Sequence, residues 1–223
     1  MVRLSTLLNI KPGLTAIIGG GGKTTLIFAL AEELKASGNV IICTSTKIWT
    51  PRGIPVLSGA DEADFYNEFI HSPIVCAGTD AGDGKTSPPA CSFTRLGELA
   101  RYILVEADGS RGLPMKAHAA GEPVIPEITG QSILVIGASG FGMPIRGAAH
   151  RPKLYAGLAG ADEDDLITPE RAARVALAEN LHDSVFVNQA ESEYAFTAAK
   201  ALRSALHCPV CAGTLHKKEY FSI

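Results

Sequence analysis

Residues 16–30, "AIIGGGGKTTLIFAL", join an apolar run to a helical pattern through four consecutive glycines, one lysine and two threonines. The run ending at Gly19 reads as a buried strand, 14–19. From Lys23 the apolar residues recur at helical spacing, which predicts a helix over 23–37 closed by Gly38. Between a strand and a helix, glycines let several backbone N–H groups converge on one anion, and the helix N-terminus adds its positive dipole. Gly19, Gly20, Gly21, Gly22, Lys23, Thr24 and Thr25 are therefore the expected phosphate-binding loop. Lys23 would lie along the terminal phosphates, Thr24 would ligate a magnesium ion, and Thr25 would reach the inner phosphate. The commonest spacing, G-x-x-x-x-G-K-[ST], is not met, because Ile17 stands where its first glycine would be. The shorter G-x-x-G-K-T-T found here also occurs in the loops of amide ligases that build cell-wall precursors. A second candidate, "GDGKT" at 82–86, is followed by "SPPA" where a helix would have to start.

Outward from the loop, strands and helices alternate. Strands are expected at 39–46, 73–78, 101–108, 132–138 and 184–189 and in "CPVCAG" (208–213). Helices are expected at 61–70, in "FTRLGELA" (93–100), at 168–180 with Thr168 as N-cap and Pro169 at the first position, and at 192–206. Residues 79–92 read as a loop or hairpin, and 109–131 as irregular, Pro- and Gly-rich chain. Continuous apolar strands separated by helices predict a mostly parallel sheet covered on both faces, with ligands at the carboxyl ends of the strands. The whole chain, 1–223, is expected to form a single domain.

The 223 residues carry a net charge of -3 with no run of Lys or Arg, which argues against a nucleic-acid partner. No apolar segment is long and unbroken enough for a bilayer, and Lys11, Pro12 and Gly13 interrupt the N-terminal apolar stretch early, so a signal peptide fits poorly. A cytoplasmic protein without a membrane partner is expected. The five cysteines read as reduced thiols. Cys43 and Cys76 sit in apolar runs, and Cys208 and Cys211, three apart on a strand, point to opposite faces.

Three further clusters fall at strand ends. "YILVEADGSRG" presents Glu106 and Asp108 on one face of a strand, where a carboxylate would hold magnesium or its waters, and Glu106 with Gly109 fits a [DE]-x-x-G switch pattern. "CTSTKIW" offers Thr44, Ser45 and Thr46 to magnesium or the attacking group and Lys47 to an anionic substrate. "VFVNQAE" resembles the N-K-x-D motif of guanine-binding switches, with Asn188, Gln189 and Glu191 as candidate nucleobase contacts. Arg111 and Lys116, with His150 and Arg151, would form a cationic wall for phosphate or carboxylate groups. The acidic "ADEDDLI" (161–167) reads as a solvated turn.

Taken together, "GGGGKTTL", "TSTKI", "LVEADGSRGLPMK", "EPVIP" and "HRP" resemble the YqeC family, described as selenium-dependent hydroxylase accessory proteins or selenium cofactor biosynthesis proteins. In that family a proline usually follows the Lys-Ala of the third segment and a histidine precedes "EPVIP"; this chain has His118 and Gly121 there. The resemblance implies a three-layer α/β, P-loop NTPase-like fold and a cytoplasmic protein that helps mature a molybdenum hydroxylase dependent on labile selenium. It implies Mg2+ with ATP or GTP as cofactors, and as partners the client hydroxylase or its cofactor, besides a second copy of the chain. Nucleotide binding then falls on Gly19 to Thr25, a metal or switch role on Glu106 and Asp108, and substrate roles on Arg111, Lys116, His150 and Arg151. An NTP-hydrolysing enzyme, a nucleotide-switched docking module with little turnover, and a small-molecule kinase or ligase all accommodate these motifs.

Overall fold

A computed structural model describes residues 2–58 and 61–223. A short helix α1 (Leu4–Leu7) precedes β1 (Gly13–Gly19), which passes through the glycines into α2 (Lys23–Leu34) and returns as β2 (Val40–Thr44). Two short strands, β3 (Ile48–Trp49) and β4 (Val56–Leu57), lead to α3 (Glu62–Phe69) and β5 (Ile74–Ala77). Next come β6 (Thr79–Asp80), β7 (Lys85–Ser87), α4 (Phe93–Leu99) and β8 (Tyr102–Glu106). The middle of the chain holds β9 (Met115–Lys116), β10 (Thr129–Gly137), α5 (Ile145–Ala148), β11 (Ala149–His150) and α6 (Pro152–Ala159). It ends with α7 (Pro169–Glu179), β12 (Ser184–Asn188), α8 (Glu193–Ala205), β13 (Val210–Thr214) and β14 (Glu219–Ser222).

Nine of these strands form one sheet in the order β14-β13-β12-β10-β1-β8-β2-β5-β4. Every pairing in it is parallel except β13 with β14. β2, β8 and β12 are buried at every residue, as a parallel sheet covered on both faces requires. One face packs on α1 and α2 through Ile17, Ile42, Leu104, Val135 and Phe186. The other packs on α3 and α4 at one end, through Ile41, Ile103 and Val105, and on α5 to α8 at the other, through Ile18, Leu134 and Val187. This is a three-layer α/β sandwich. β1 lies at its centre, between β10 and β8.

The helix after the glycines is anchored by Leu26, Ile27, Leu30 and Leu34, all buried. Each contributes roughly 1.5–3 kcal/mol by leaving water, which fixes where the helix N-terminus sits. Asp61 caps α3 with a reciprocal capping box, and Thr168 accepts from the Arg171 N–H with Pro169 at the first position of α7.

Several elements differ from the sequence expectation. α2 stops at Leu34, three residues early, and β2 stops at Thr44, whose hydroxyl turns back to donate to the Glu106 carbonyl at 2.8 Å. The 79–92 segment is a hairpin, β6–β7, extended by β3 into a separate three-stranded sheet. Within 109–131, β9 pairs in parallel with β11, so that Met115 meets Ala149 and Lys116 meets His150. α1, α5, α6 and β14 are additional to the expected elements; each is too short, or too poor in a repeating apolar face, to stand out by periodicity. The chain returns antiparallel as β14, where Tyr220 meets Phe186 edge-on at 6.3 Å. β13 begins at Val210, two residues later than expected, so Cys208 lies in the bend before the strand; it packs on the side of α5 to α8, and Cys211, within the strand, on the side of α1 and α2. Among the described residues no helix is long and apolar enough to cross a membrane.

Candidate functional site

β1 pairs with β8 in a register that sets Ile17 beside Glu106, so the loop after β1 and the carboxylates after β8 leave the sheet side by side. The loop is tightly built. Gly21 has φ +76, and a Cβ there would stand 2.4 Å from the Gly137 Cα; Gly22 has φ +121, and a Cβ there would meet the Asn188 amide nitrogen at 2.6 Å. The glycines thus serve close backbone approach as much as bending. The amides of Gly19, Gly20 and Gly21 donate to Asp108, to the Val135 carbonyl and to the Leu113 carbonyl, at 2.7, 2.9 and 3.0 Å. Of the several N–H groups expected to converge on an anion, these three are engaged within the protein. The N–H groups left for one are those at the start of α2, which has no side-chain cap and whose first-turn amides have no partner within the helix.

Lys23 opens that helix and is 4% exposed. Its ammonium donates to the Gly19 carbonyl at 2.8 Å and lies 3.0 Å from Asp108 Oδ1 and 3.7 Å from Glu106 Oε1. The Thr24 hydroxyl donates to Glu106 Oε2 at 2.6 Å, and Thr25 is exposed at the helix start. Burial pushes the Glu106 carboxyl above its ordinary range, against the opposing pull of Lys23 and the Thr24 hydroxyl. Asp108 behaves oppositely. Burial would raise it, but the His118 hydrogen bond, the charges of Lys23 and Lys116 and the Gly19 N–H together hold it at about 2.

The arrangement separates the two carboxylates that the sequence places together as magnesium ligands. Glu106 and the Thr24 hydroxyl meet at the mouth of the helix, a donor pair suited to a hard cation or its waters. Asp108 is fully buried, with Oδ2 engaged by Gly19 and His118 and Oδ1 held by Lys23. It serves as counter-ion to Lys23. Among the described residues no group of three or more His, Cys, Asp or Glu side chains is gathered for a metal.

The hydroxyl cluster on β2 is partly structural. Thr44 is fully buried, donating to the Glu106 carbonyl and accepting from the Thr46 N–H at 3.0 Å, whereas Ser45 and Thr46 are half-buried and Lys47 is exposed. Asn188, at the end of β12, donates to the Gly21 carbonyl at 2.8 Å and accepts from the Leu215 N–H at 3.1 Å. Both ends of its amide brace the loop. Gln189 accepts from the Ser139 hydroxyl at 2.6 Å, and Glu191 from the Thr214 hydroxyl at 2.7 Å. Asn188→Ala would leave a buried carbonyl and a buried N–H unpaired, and about 2–3 kcal/mol of stability is expected to be lost. Urea unfolding checks this; a midpoint equal to wild type would remove the bracing role.

The cations expected to form a bare wall are instead interleaved with acids. Lys116, its side chain fully buried, donates to the Gly109 carbonyl at 2.6 Å and to Glu122 at 2.9 Å and lies 3.6 Å from Asp108. Arg151 grips Glu122 through both terminal guanidinium nitrogens, Nη1 to Oε2 at 2.5 Å and Nη2 to Oε1 at 3.0 Å. Those hydrogen bonds, with Lys116 adding, hold the Glu122 carboxyl down at about 2. His150, beside Lys116 in the β9–β11 pair, is pushed down by burial and then by the charges of Lys116, Arg151 and Arg111. Arg111 itself is exposed.

Three residues outside the sequence-expected site complete it: His118, Glu122 and Glu179. The His118 ring joins Asp108 Oδ2 at 2.6 Å to Glu179 Oε2 at 2.8 Å, and its backbone N–H donates to Glu179 Oε1 at 2.6 Å. Burial would lower this histidine, but the two carboxylates outweigh it and raise it. His118 had two signals, its place two residues from Lys116 and its departure from the proline usual there in the YqeC family. Glu179 had none, lying at the far end of α7.

A mostly parallel sheet between two helical layers, with a glycine loop between its central strand and the helix that follows and a carboxylate strand beside it, defines a P-loop NTPase-like fold. Residues 15–153 match the YqeC protein family. The chain belongs to that family. A YqeC protein of Escherichia coli (strain K12), itself described as uncharacterized, is 36% identical over 162 residues, 69% of this chain and 63% of the relative. The chain therefore matches just under two thirds of that relative's length. A crystal structure of the signal recognition particle 54 kDa protein from Aeropyrum pernix K1 in complex with GDP aligns over 96% of this chain and 44% of its own, at 17% identity and a TM-score of 0.41.

Proposed function

We propose that the chain binds a nucleoside triphosphate, ATP or GTP, with Mg2+ at the start of α2 and cleaves or transfers its terminal phosphate. The observation that carries this reading is the convergence of Lys23, Thr24 and Glu106 at an uncapped helix N-terminus. The α2 amides would bind phosphate oxygens, and Lys23, released from Asp108, would neutralise the terminal phosphate. Thr24 and Glu106 would hold Mg2+ directly or through its waters; the ion would supply charge stabilisation at the phosphate oxygens. Glu106, with its raised affinity for a proton, is placed to order the attacking water or acceptor hydroxyl. Gln189 and Glu191, at the end of β12, are the candidates for reading the base, with Asn188 as their support.

Glu106→Gln keeps the shape of the side chain and a hydrogen-bond partner for Thr24 but removes the charge. Turnover is expected to fall by about 100-fold, in the range of general-base contributions, while nucleotide affinity falls by less than about tenfold. Phosphate-release kinetics alongside calorimetric titration measure both. Unchanged turnover would take Glu106 out of the mechanism.

The resemblance to selenium-dependent hydroxylase accessory proteins supports a finer reading, in which the nucleotide reaction serves maturation of a selenium-dependent molybdenum hydroxylase in the cytoplasm, with the client enzyme or its cofactor as partner. In a nucleotide-switched docking module, client affinity would follow the bound nucleotide while hydrolysis stayed slow.

A further inference from the structure

Around Glu122 the chain assembles the contacts that an anionic ligand would need. The Arg151 fork takes both carboxylate oxygens and the buried Lys116 ammonium adds a third contact, the geometry by which proteins recognise carboxylates and phosphates. His150 stands beside Lys116, its Nδ1 buried without a hydrogen-bond partner. The cations rest on defined elements: Lys116 and His150 on the β9–β11 pair, Arg151 at the start of α6. Glu122 comes from a turn instead, after Gly121 at φ +81, and its side chain is 27% exposed.

Two backbone features point the same way. Arg151 (φ 64, ψ 63) and Arg111 (φ 53) both hold left-handed conformations. For residues with a Cβ these cost on the order of 1–3 kcal/mol and gather at ligand sites. Beside the fork, Arg151, Pro152, Lys153 and Leu154 line a shallow, mostly apolar surface depression, with room for the uncharged part of a ligand. Inward, Lys116 is 3.6 Å from Asp108, whose other oxygen is 3.0 Å from Lys23. An anion seated on the fork would therefore lie one carboxylate away from the lysine of the phosphate loop.

We propose that Arg151, Lys116, His150 and Arg111 form the binding site for the acid group of a second substrate, a small phosphate- or carboxylate-bearing molecule, and that Glu122 occupies that place until the ligand displaces it. As a site for a second reactant beside the nucleotide this rests on the loop reading above; as an anion site it stands on its own residues. Inorganic phosphate and malonate represent the two kinds of acid. Each is titrated calorimetrically into wild type, Glu122→Gln and Arg151→Gln, with the loop filled by a non-hydrolysable Mg-nucleotide and again without nucleotide. Glu122→Gln, relieved of the competing carboxylate, is expected to bind at least one probe about tenfold or more tightly than wild type, and Arg151→Gln to lose that binding. The probe that gains identifies the acid class, and a gain by both supports an anion site of broad selectivity.

Glu122→Gln binding neither probe more tightly than wild type, or Arg151→Gln binding as wild type does, overturns the proposal. So does a phosphate signal that disappears in Lys23→Ala and persists in Arg151→Gln, because the anion then sits in the loop. Should the nucleotide fail to bind at all, the nucleotide-free titrations still read the fork through Arg151, so the two failures are distinct. Circular dichroism checks folding. If Glu122→Gln is unfolded, Glu122→Asp, whose shorter side chain weakens the fork, carries the comparison, with about a threefold gain expected.

Discussion

Lys23→Ala is expected to weaken binding of a non-hydrolysable Mg-nucleotide by about 100-fold or more, equivalent to about 3 kcal/mol. The magnitude follows from the setting. A charge-assisted contact to phosphate in a partly desolvated site is among the stronger polar interactions, and truncating one partner of such a pair typically costs 2–5 kcal/mol. Lys23 is already engaged by the Gly19 carbonyl and by Asp108, so nucleotide must draw the ammonium away from a buried counter-ion, and the observed loss is the difference between those two states. The substitution also leaves Asp108 with one cation fewer, so Lys23→Met, which fills the stem's volume, is measured beside it. Calorimetric titration with ATP and GTP analogues in Mg2+ gives the result directly. Wild-type affinity in both variants, with the fold intact by circular dichroism, would sink the reading of the loop as a nucleotide site.

The sequence showed what depends on local pattern. The β1–glycine–α2 unit is legible because a buried apolar strand, four glycines and a helical repeat lie within fifteen consecutive residues, 16–30. Glu106 and Asp108 are legible as a pair at one strand end, although the strand expected over 101–108 stops at Glu106 and Asp108 lies just past it. Their opposite environments are not, because these are decided largely by partners distant in the chain: Thr24 for Glu106, and Lys23 with the Gly19 N–H for Asp108, joined by His118 and Lys116 from the irregular segment that follows it. In the same way, the phosphate-loop glycines show their backbone freedom in sequence but not the strand ends at Val135 and Gly137 that crowd them. The cationic segment was visible and its acid was not. Glu122 opens the "EPVIP" segment that carries part of the family resemblance, but its role stays hidden until β9 and β11 pair and bring Lys116 and Arg151 to it.

His118→Ala is expected to cost about 3–5 kcal/mol of stability near pH 6, the range for removing one partner from a buried charged pair. Among the described residues the ring is the one side chain joining Asp108, just past the end of β8, to Glu179 at the end of α7, and without it two buried carboxylates face each other across a cavity. The pH dependence carries the diagnosis. His118 is raised in the folded chain, so its contribution is complete below its unfolded pKa, near 6.5, and is lost as pH rises through the higher folded value. Asp108, held at about 2, contributes above its unfolded pKa of about 3.9 and loses that contribution as pH falls towards the folded value. Glu106 is raised, so it works against stability as pH climbs through its own folded pKa, and Glu106→Gln separates its effect from that of the histidine. Of the groups considered, Asp108 sets the acid decline below about pH 4 and His118 an alkaline decline above about pH 6.5, and His118→Ala should lose the histidine's share of the alkaline decline while keeping that of Glu106. Urea unfolding from pH 3 to 8 supplies both curves. His118→Gln, which keeps hydrogen bonding without the charge, should fall between them, and a histidine variant within about 1 kcal/mol of wild type at pH 6 would show that the bridge is not what joins α7 to the loop's counter-ion.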